Sequence, residues 1–190
     1  IPCARRVSIP MGKPLVLFVV TEDWYFVSHR LDFAKAAISA GFRVALATHV
    51  ESHGEEIRAG GIDLYHVPEL RRARPLLAEG MTPFALARLF ETIRPDLIHL
   101  VAMKPIFFGS LATAISHRRP VVNTFTGMGF IFTSNSMRAR LLRGPVASLL
   151  GTLLNRPNTL SIAQNREDLE LLIARLGIHL AGRAAQARDH

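Results

Sequence analysis

The sequence predicts an α/β fold built on an open, doubly wound and mostly parallel sheet. Three observations carry this reading. Leu15–Val20 is an unbroken apolar run of strand length, the pattern of a strand buried on both faces. A helical stretch ending at Gly41 and a second strand-like run, Arg43–Thr48, complete a βαβ unit with it. The same alternation continues to Leu176 and yields six strands, expected in the common order 3-2-1-4-5-6.

Each element has a local reason. Thr21–His29 reads as a polar and aromatic loop that opens the first helix. Glu55 and Glu56 suit the first turn of a short helix, where the dipole favours acids, and Gly60-Gly61 stops it. Asp63–Val67 is a third strand closed by Pro68, followed by a basic connection, Glu69–Gly80. Thr82 is expected to cap, and Pro83 to open, a helix to about Ile93. Pro95 breaks that helix before the strand Leu97–Val101. Lys104-Pro105 leads into a helix ending near Ser116, and Val121–Thr124 is the fifth strand. A long turn, Phe125–Asn135, precedes a helix to about Asn155. Thr159–Ala163 is the last strand, and Asn165 opens a helix stopped by Gly177.

Composition narrows the partners. Net charge is +8, carried by twenty arginines and only three lysines, which favours anionic ligands or surfaces. The single cysteine, Cys3, excludes an internal disulfide and a cysteine-based zinc site, and suits a reducing, cytoplasmic setting. No run approaches the roughly 18 apolar residues of a membrane span. Residues 1–12 read as an extension in which Met11 is the natural start, and Leu15–Val20 as a strand rather than a signal peptide.

In the expected strand order the switch point lies between the first and fourth strands. The loops Thr21–His29 and Ala102–Pro105 then flank one crevice, with Thr126–Phe130 beside it. His29, Arg30, Lys104, Thr126, Gly127 and Gly129 converge there as candidate acceptor- or anion-binding residues. Arg30 and Lys104 near helix N-termini would make a phosphate site. Nucleotide motifs are missing: no G-x-G-x-x-G follows the first strand, and Gly12-Lys13 precedes its strand, so it is not a P-loop.

Four separated motifs then carry a resemblance. VVTEDWYFVSHRL, PDLIHLVAMKPIFFGSLA, PVVNTFTGMGFIFTS and SIAQNREDLELL resemble the N-terminal half of family 4 glycosyltransferases, nearest to bacterial enzymes of surface-polysaccharide and lipid-linked oligosaccharide assembly. The resemblance covers about residues 13–178. It implies a Rossmann-like domain forming one half of a GT-B architecture and receiving the acceptor, with the nucleotide-sugar held by a second domain. It also implies metal independence, with the nucleotide-sugar as co-substrate and no cofactor. In this reading residues 179–190 stand as a short tail where the donor domain would follow, so a separate C-terminal donor domain is an expected partner. Thr126 stands where many members carry a histidine, and Val101 replaces the second histidine of His-x-His, so no catalytic residue is assigned.

Blander roles compete. His29 and Arg30 could merely cap and solvate a helix, and Lys104 could be a solvated loop lysine. His99 reads better as a hydrogen-bonded core histidine than as a catalyst. His49 and His53 lack a third ligand, and no metal is expected. Trp24, Tyr25 and Phe26 suit stacking on a sugar or polyprenyl chain, or packing over the sheet edge. The 136–155 helix sets Arg138, Arg140 and Arg143 ahead of an apolar face, which suits core packing or peripheral contact with an anionic inner membrane face. The expected activity is sugar transfer from a nucleotide-sugar to a lipid-linked or glycan acceptor, with no nucleic acid involved. The rivals are a non-enzymatic anion- or lipid-binding module and an unrelated nucleotide-binding enzyme.

Overall fold

The computed structural model describes residues 12–71, 79–116, 119–126 and 137–176. Six strands, β1 (Leu15–Glu22), β2 (Arg43–His49), β3 (Asp63–His66), β4 (Leu97–Val101), β5 (Val121–Phe125) and β6 (Thr159–Ala163), form one sheet. Its order is β3-β2-β1-β4-β5-β6, and every pairing is parallel. The predicted order and switch point are therefore present, with Leu17 aligned to Ala45 on one side and to Ile98 on the other.

Strand alternation sorts the core into two layers. Leu15, Leu17 and Val19 face one layer with Ala45, Ile98 and Leu100. It is covered by α4 (Thr82–Ile93), α5 (Met103–Ile115), α6 (Met137–Leu154) and α7 (Arg166–Leu176), through Leu86, Phe90, Ile106, Leu150, Leu172 and others. Val16, Phe18 and Val20 face the second layer with Val44 and Leu46. Here α1 (Asp23–His29), α2 (Leu31–Ser39) and α3 (Gly54–Ala59) supply Phe26, Leu31, Ala34 and Ile57. Phe18 meets Phe26 edge-on with ring centroids 5.8 Å apart, a favoured aromatic geometry.

Three local expectations are corrected. Thr21 and Glu22 belong to β1, and Asp23–His29 is a helix rather than a loop. The aromatic side chains that suggested a loop are divided by helical geometry, Phe26 fully buried and Trp24 exposed. Arg30 then ends one helix and begins the next: its N–H donates to the Phe26 carbonyl, and its own carbonyl accepts from Ala34. Thr82 is the first residue inside α4, not its cap, and its buried hydroxyl points to the Glu69 carbonyl at 3.5 Å. Lys104 and Pro105 lie within the first turn of α5, where proline is tolerated because its missing N–H has no intrahelical partner. Arg138, Arg140 and Arg143 have side chains outside the described residues, so the membrane-facing reading of that helix falls outside them too.

Helices α6 and α7 approach closely at Gly151, where a Cβ would meet the backbone carbonyl of Leu176. Gly151→Val should therefore destabilise the fold by about 1–3 kcal/mol through overpacking. A urea-unfolding midpoint equal to wild type would show that the two helices do not approach there.

Candidate functional site

The C-terminal edge of the sheet is organised first by Asp23, the residue that follows β1. Its side chain is fully buried. Oδ2 accepts backbone N–H bonds from Glu51, Ser52 and His53 at 2.8, 2.9 and 2.8 Å, and Oδ1 accepts from Trp24 at 2.8 Å. Burial alone would raise this carboxyl, but the four backbone donors outweigh it and hold Asp23 below the usual carboxylate range. His53 Nδ1 lies 3.8 Å from Oδ1. Asp23 is thus a fixed anion bracing the β2–α3 loop against β1. With its oxygens engaged and its proton lost, it is poorly suited to acid–base work at neutral pH.

Arg30, between α1 and α2, and His99, on β4, interact electrostatically. Arg30 Nε and Nη2 are buried and have no hydrogen-bond partner among the described residues. His99 projects from β4 against the Phe18 ring, centroids 4.9 Å apart, with its Nε2 2.8 Å from Thr124 Oγ1 on β5. Burial, and then the Arg30 charge, push the His99 pKa down to about 4, so the ring is neutral at neutral pH. A neutral imidazole lets the guanidinium remain close without a second positive charge. The expected hydrogen-bonded histidine is present, with Thr124, unmarked in the sequence, as its partner.

The other candidates divide. Lys104 Nζ donates to the Arg71 carbonyl at 2.6 Å and to Glu79 Oε1 at 2.7 Å, and both side chains of this ion pair are largely buried. Its charge is neutralised locally, and it ties the β3–α4 connection to α5. His29 is exposed on the last turn of α1, stacked on Tyr25 with centroids 4.4 Å apart. Its Nδ1 is 3.2 Å from the Tyr25 carbonyl and donates to it in the Nδ1-protonated tautomer. Thr126 is half-buried directly after β5. Gly127 and Gly129 lie outside the described residues.

On the far rim, His49 and His66 approach with centroids 5.2 Å apart, and His66 Nδ1 accepts the Val50 N–H at 2.9 Å. Among the described residues no group of three His, Cys, Asp or Glu side chains is arranged to hold a metal ion. Nor is any described helix long and apolar enough to cross a membrane.

A six-stranded parallel sheet with its crevice at the switch point defines a Rossmann-like domain of the kind seen in GT-B glycosyltransferases. Residues 15–161 match the family described as glycosyl transferase 4-like, and the chain belongs to that family. No curated protein matches it in sequence. Among solved structures it is similar to a glycosyltransferase from Rickettsia africae ESF-5, at 15% identity and a TM-score of 0.58, covering 88% of this chain and 41% of that one. A UDP-N-acetylglucosamine 2-epimerase is similar at 14% identity and TM-score 0.58, covering 86% and 45%. The sucrose-phosphate synthase of Thermosynechococcus elongatus is similar at 14% identity and TM-score 0.55, covering 84% and 44%. At these identities the likeness is one of fold. The chain spans less than half the length of each.

Proposed function

We propose that this chain is the acceptor-side half of a glycosyltransferase. It works in envelope polysaccharide assembly at the cytoplasmic face of the membrane, moving a hexosyl-type sugar from a nucleotide-sugar to a lipid-linked or glycan acceptor. The observation that carries this reading is that Arg30 Nε and Nη2 are buried without a hydrogen-bond partner among the described residues. A buried cationic donor without an acceptor is costly, and a phosphate oxygen satisfies both its charge and its N–H groups. His29 and Thr126 are assigned with Arg30 to the acceptor side, and Gly127 and Gly129 belong to the same candidate set. Lys104, already bound to Glu79, serves the rim rather than the ligand.

In the reaction an acceptor hydroxyl oxygen bonds to the anomeric carbon while the bond from that carbon to the nucleoside diphosphate breaks. The diphosphate leaves with the electron pair, and the hydroxyl proton passes to it or to water. This chain contributes orientation: the acceptor anion is fixed and its hydroxyl held towards the donor. The donor is held mainly by a second domain, in cis or in trans, which neutralises the departing charge. The nucleotide-sugar is a co-substrate, and no cofactor or metal takes part. The net charge of +8 supports the approach to an anionic membrane surface.

Calorimetric titration tests this reading. The 190-residue chain should bind a polyprenyl-phosphate sugar and take up nucleotide-sugar much more weakly. Arg30→Gln should weaken the phosphorylated acceptor by about 1.5–3 kcal/mol with the melting temperature preserved. Tight nucleotide-sugar binding without acceptor binding would overturn the assignment and favour a nucleotide-binding enzyme.

A further inference from the structure

β6 is set into the sheet with its apolar side outward. Leu160 is 58% exposed and Ile162 43%, while Thr159, Ser161 and Ala163, which alternate with them, are half-buried. A shift of the strand by one residue would exchange the two sets and turn the leucine and isoleucine inward. Hydrophobic patterning therefore argues against the register that β6 adopts. Some other interaction holds it.

The inward side of β6 meets an equally unusual residue. Asn123 occupies the middle of β5, between Val121 and Phe125, which face the core layer covered by α5, α6 and α7. By the period of two along a strand Asn123 faces the same layer, and it is fully buried. Its carbonyl oxygen and its amide nitrogen both lack a hydrogen-bond partner among the described residues. In register beside it on β6 is Ser161, whose hydroxyl is also buried and unpartnered there. Paired strands stand about 4.8 Å apart, so the two side chains are neighbours on one face of the sheet.

Buried polar groups are almost always paired, because giving up bonds to water without replacement is costly. The asparagine amide offers two donors and an acceptor, and the serine hydroxyl both donates and accepts. Between them they present the two to four polar contacts that a single buried water takes. Side-chain size agrees, since β6 turns only Ser161 and then Ala163 towards this part of the layer. A charged ligand would find no counter-charge in the apolar cluster around it. The ligand class is small, neutral and able both to donate and to accept.

We infer that the core layer beneath α5 and α6 holds an internal water site between Asn123 and Ser161, and that this bridge fixes the register of β6. The water accepts from the Asn123 amide or donates to its carbonyl, and completes its bonds at the Ser161 hydroxyl. The polar side of β6 is turned inward because Asn123 is there to be satisfied, and Leu160 and Ile162 are left in solvent. The site is independent of the proposed activity.

Nuclear magnetic resonance of the isotope-labelled chain tests it. The Asn123 side-chain amide should show a cross-peak to water with the sign of a water that tumbles with the protein. Its absence overturns the site, as does a crystal structure in which Asn123 bonds the Ser161 hydroxyl directly. Relaxation dispersion of the water nuclei counts such molecules, and Asn123→Val should hold one fewer than wild type. With the bridge gone, the β6 amides should exchange about tenfold faster while those of β2 stay as they were. An unchanged water count in the folded variant overturns the site, and unchanged exchange overturns its hold on β6. Ser161→Ala removes the other end of the bridge from a half-buried position on the last strand. It should release β6 in the same way, and it decides the matter if Asn123→Val does not fold.

Discussion

Asp23→Ala should destabilise the folded chain by about 3–5 kcal/mol, the largest effect expected of any single substitution outside the apolar core. The change removes one buried carboxylate and strands four backbone N–H groups at once, those of Trp24, Glu51, Ser52 and His53. Three of them belong to a loop with no other anchor of this kind among the described residues, so hydrogen exchange at Glu51, Ser52 and His53 should accelerate first. Because the folded-state carboxyl is held below its ordinary value, its contribution is complete above about pH 4. It fades as the pH falls through the depressed value. An unfolding free energy within about 0.5 kcal/mol of wild type, the spread of ordinary surface substitutions, would refute the brace.

His99 makes the second large contribution, and it acts at a different pH. Its folded pKa of about 4 lies below the ordinary 6.5, so the unfolded chain takes up a proton that the folded chain refuses. Stability is thus full above about pH 6.5, declines as the pH falls towards 4, and levels off below that. The gap corresponds to roughly 3 kcal/mol. His99→Gln keeps a group able to bond Thr124 and cannot titrate in this range. Its unfolding free energy should be flat between pH 6.5 and 4.5, where that of the wild type declines. Parallel profiles for the two proteins would mean that the ring is accessible and protonates freely.

The architecture was legible because it depends on signals that are local and repeated. The apolar run Leu15–Val20, the glycines after helices and the proline before β4 fix strand and helix order without reference to distant contacts. The helix at Asp23–His29 was not legible. Trp24, Tyr25, Phe26 and Val27 are poor helix formers, and only the docking of Phe26 on Phe18 makes the turn worthwhile. The side-chain partnerships of the candidate site were legible only at His99, whose reading as a hydrogen-bonded core histidine matches its contact with Thr124. That Asp23 would reach residues 28–30 positions away, or that Lys104 would find Glu79, depends on loop conformations that no spacing rule describes. Thr124 carried no mark beyond lying on a strand next to that of His99. The register supplied its role.

Ala102, at the mouth of β4, has φ 72° and ψ 162°, a combination normally reserved to glycine and costing on the order of 1–3 kcal/mol for a residue with a Cβ. The two banks of the crevice therefore differ mechanically. The bank after β1 is bolted down by a carboxylate that loses bonds whichever way it moves. The bank after β4 is a wound spring, set at its stiffest point just before α5. Two hydrogen bonds hold that spring set, the Ala102 N–H donating to the Thr124 carbonyl and the Ala102 carbonyl accepting from Ile106, each at 3.0 Å.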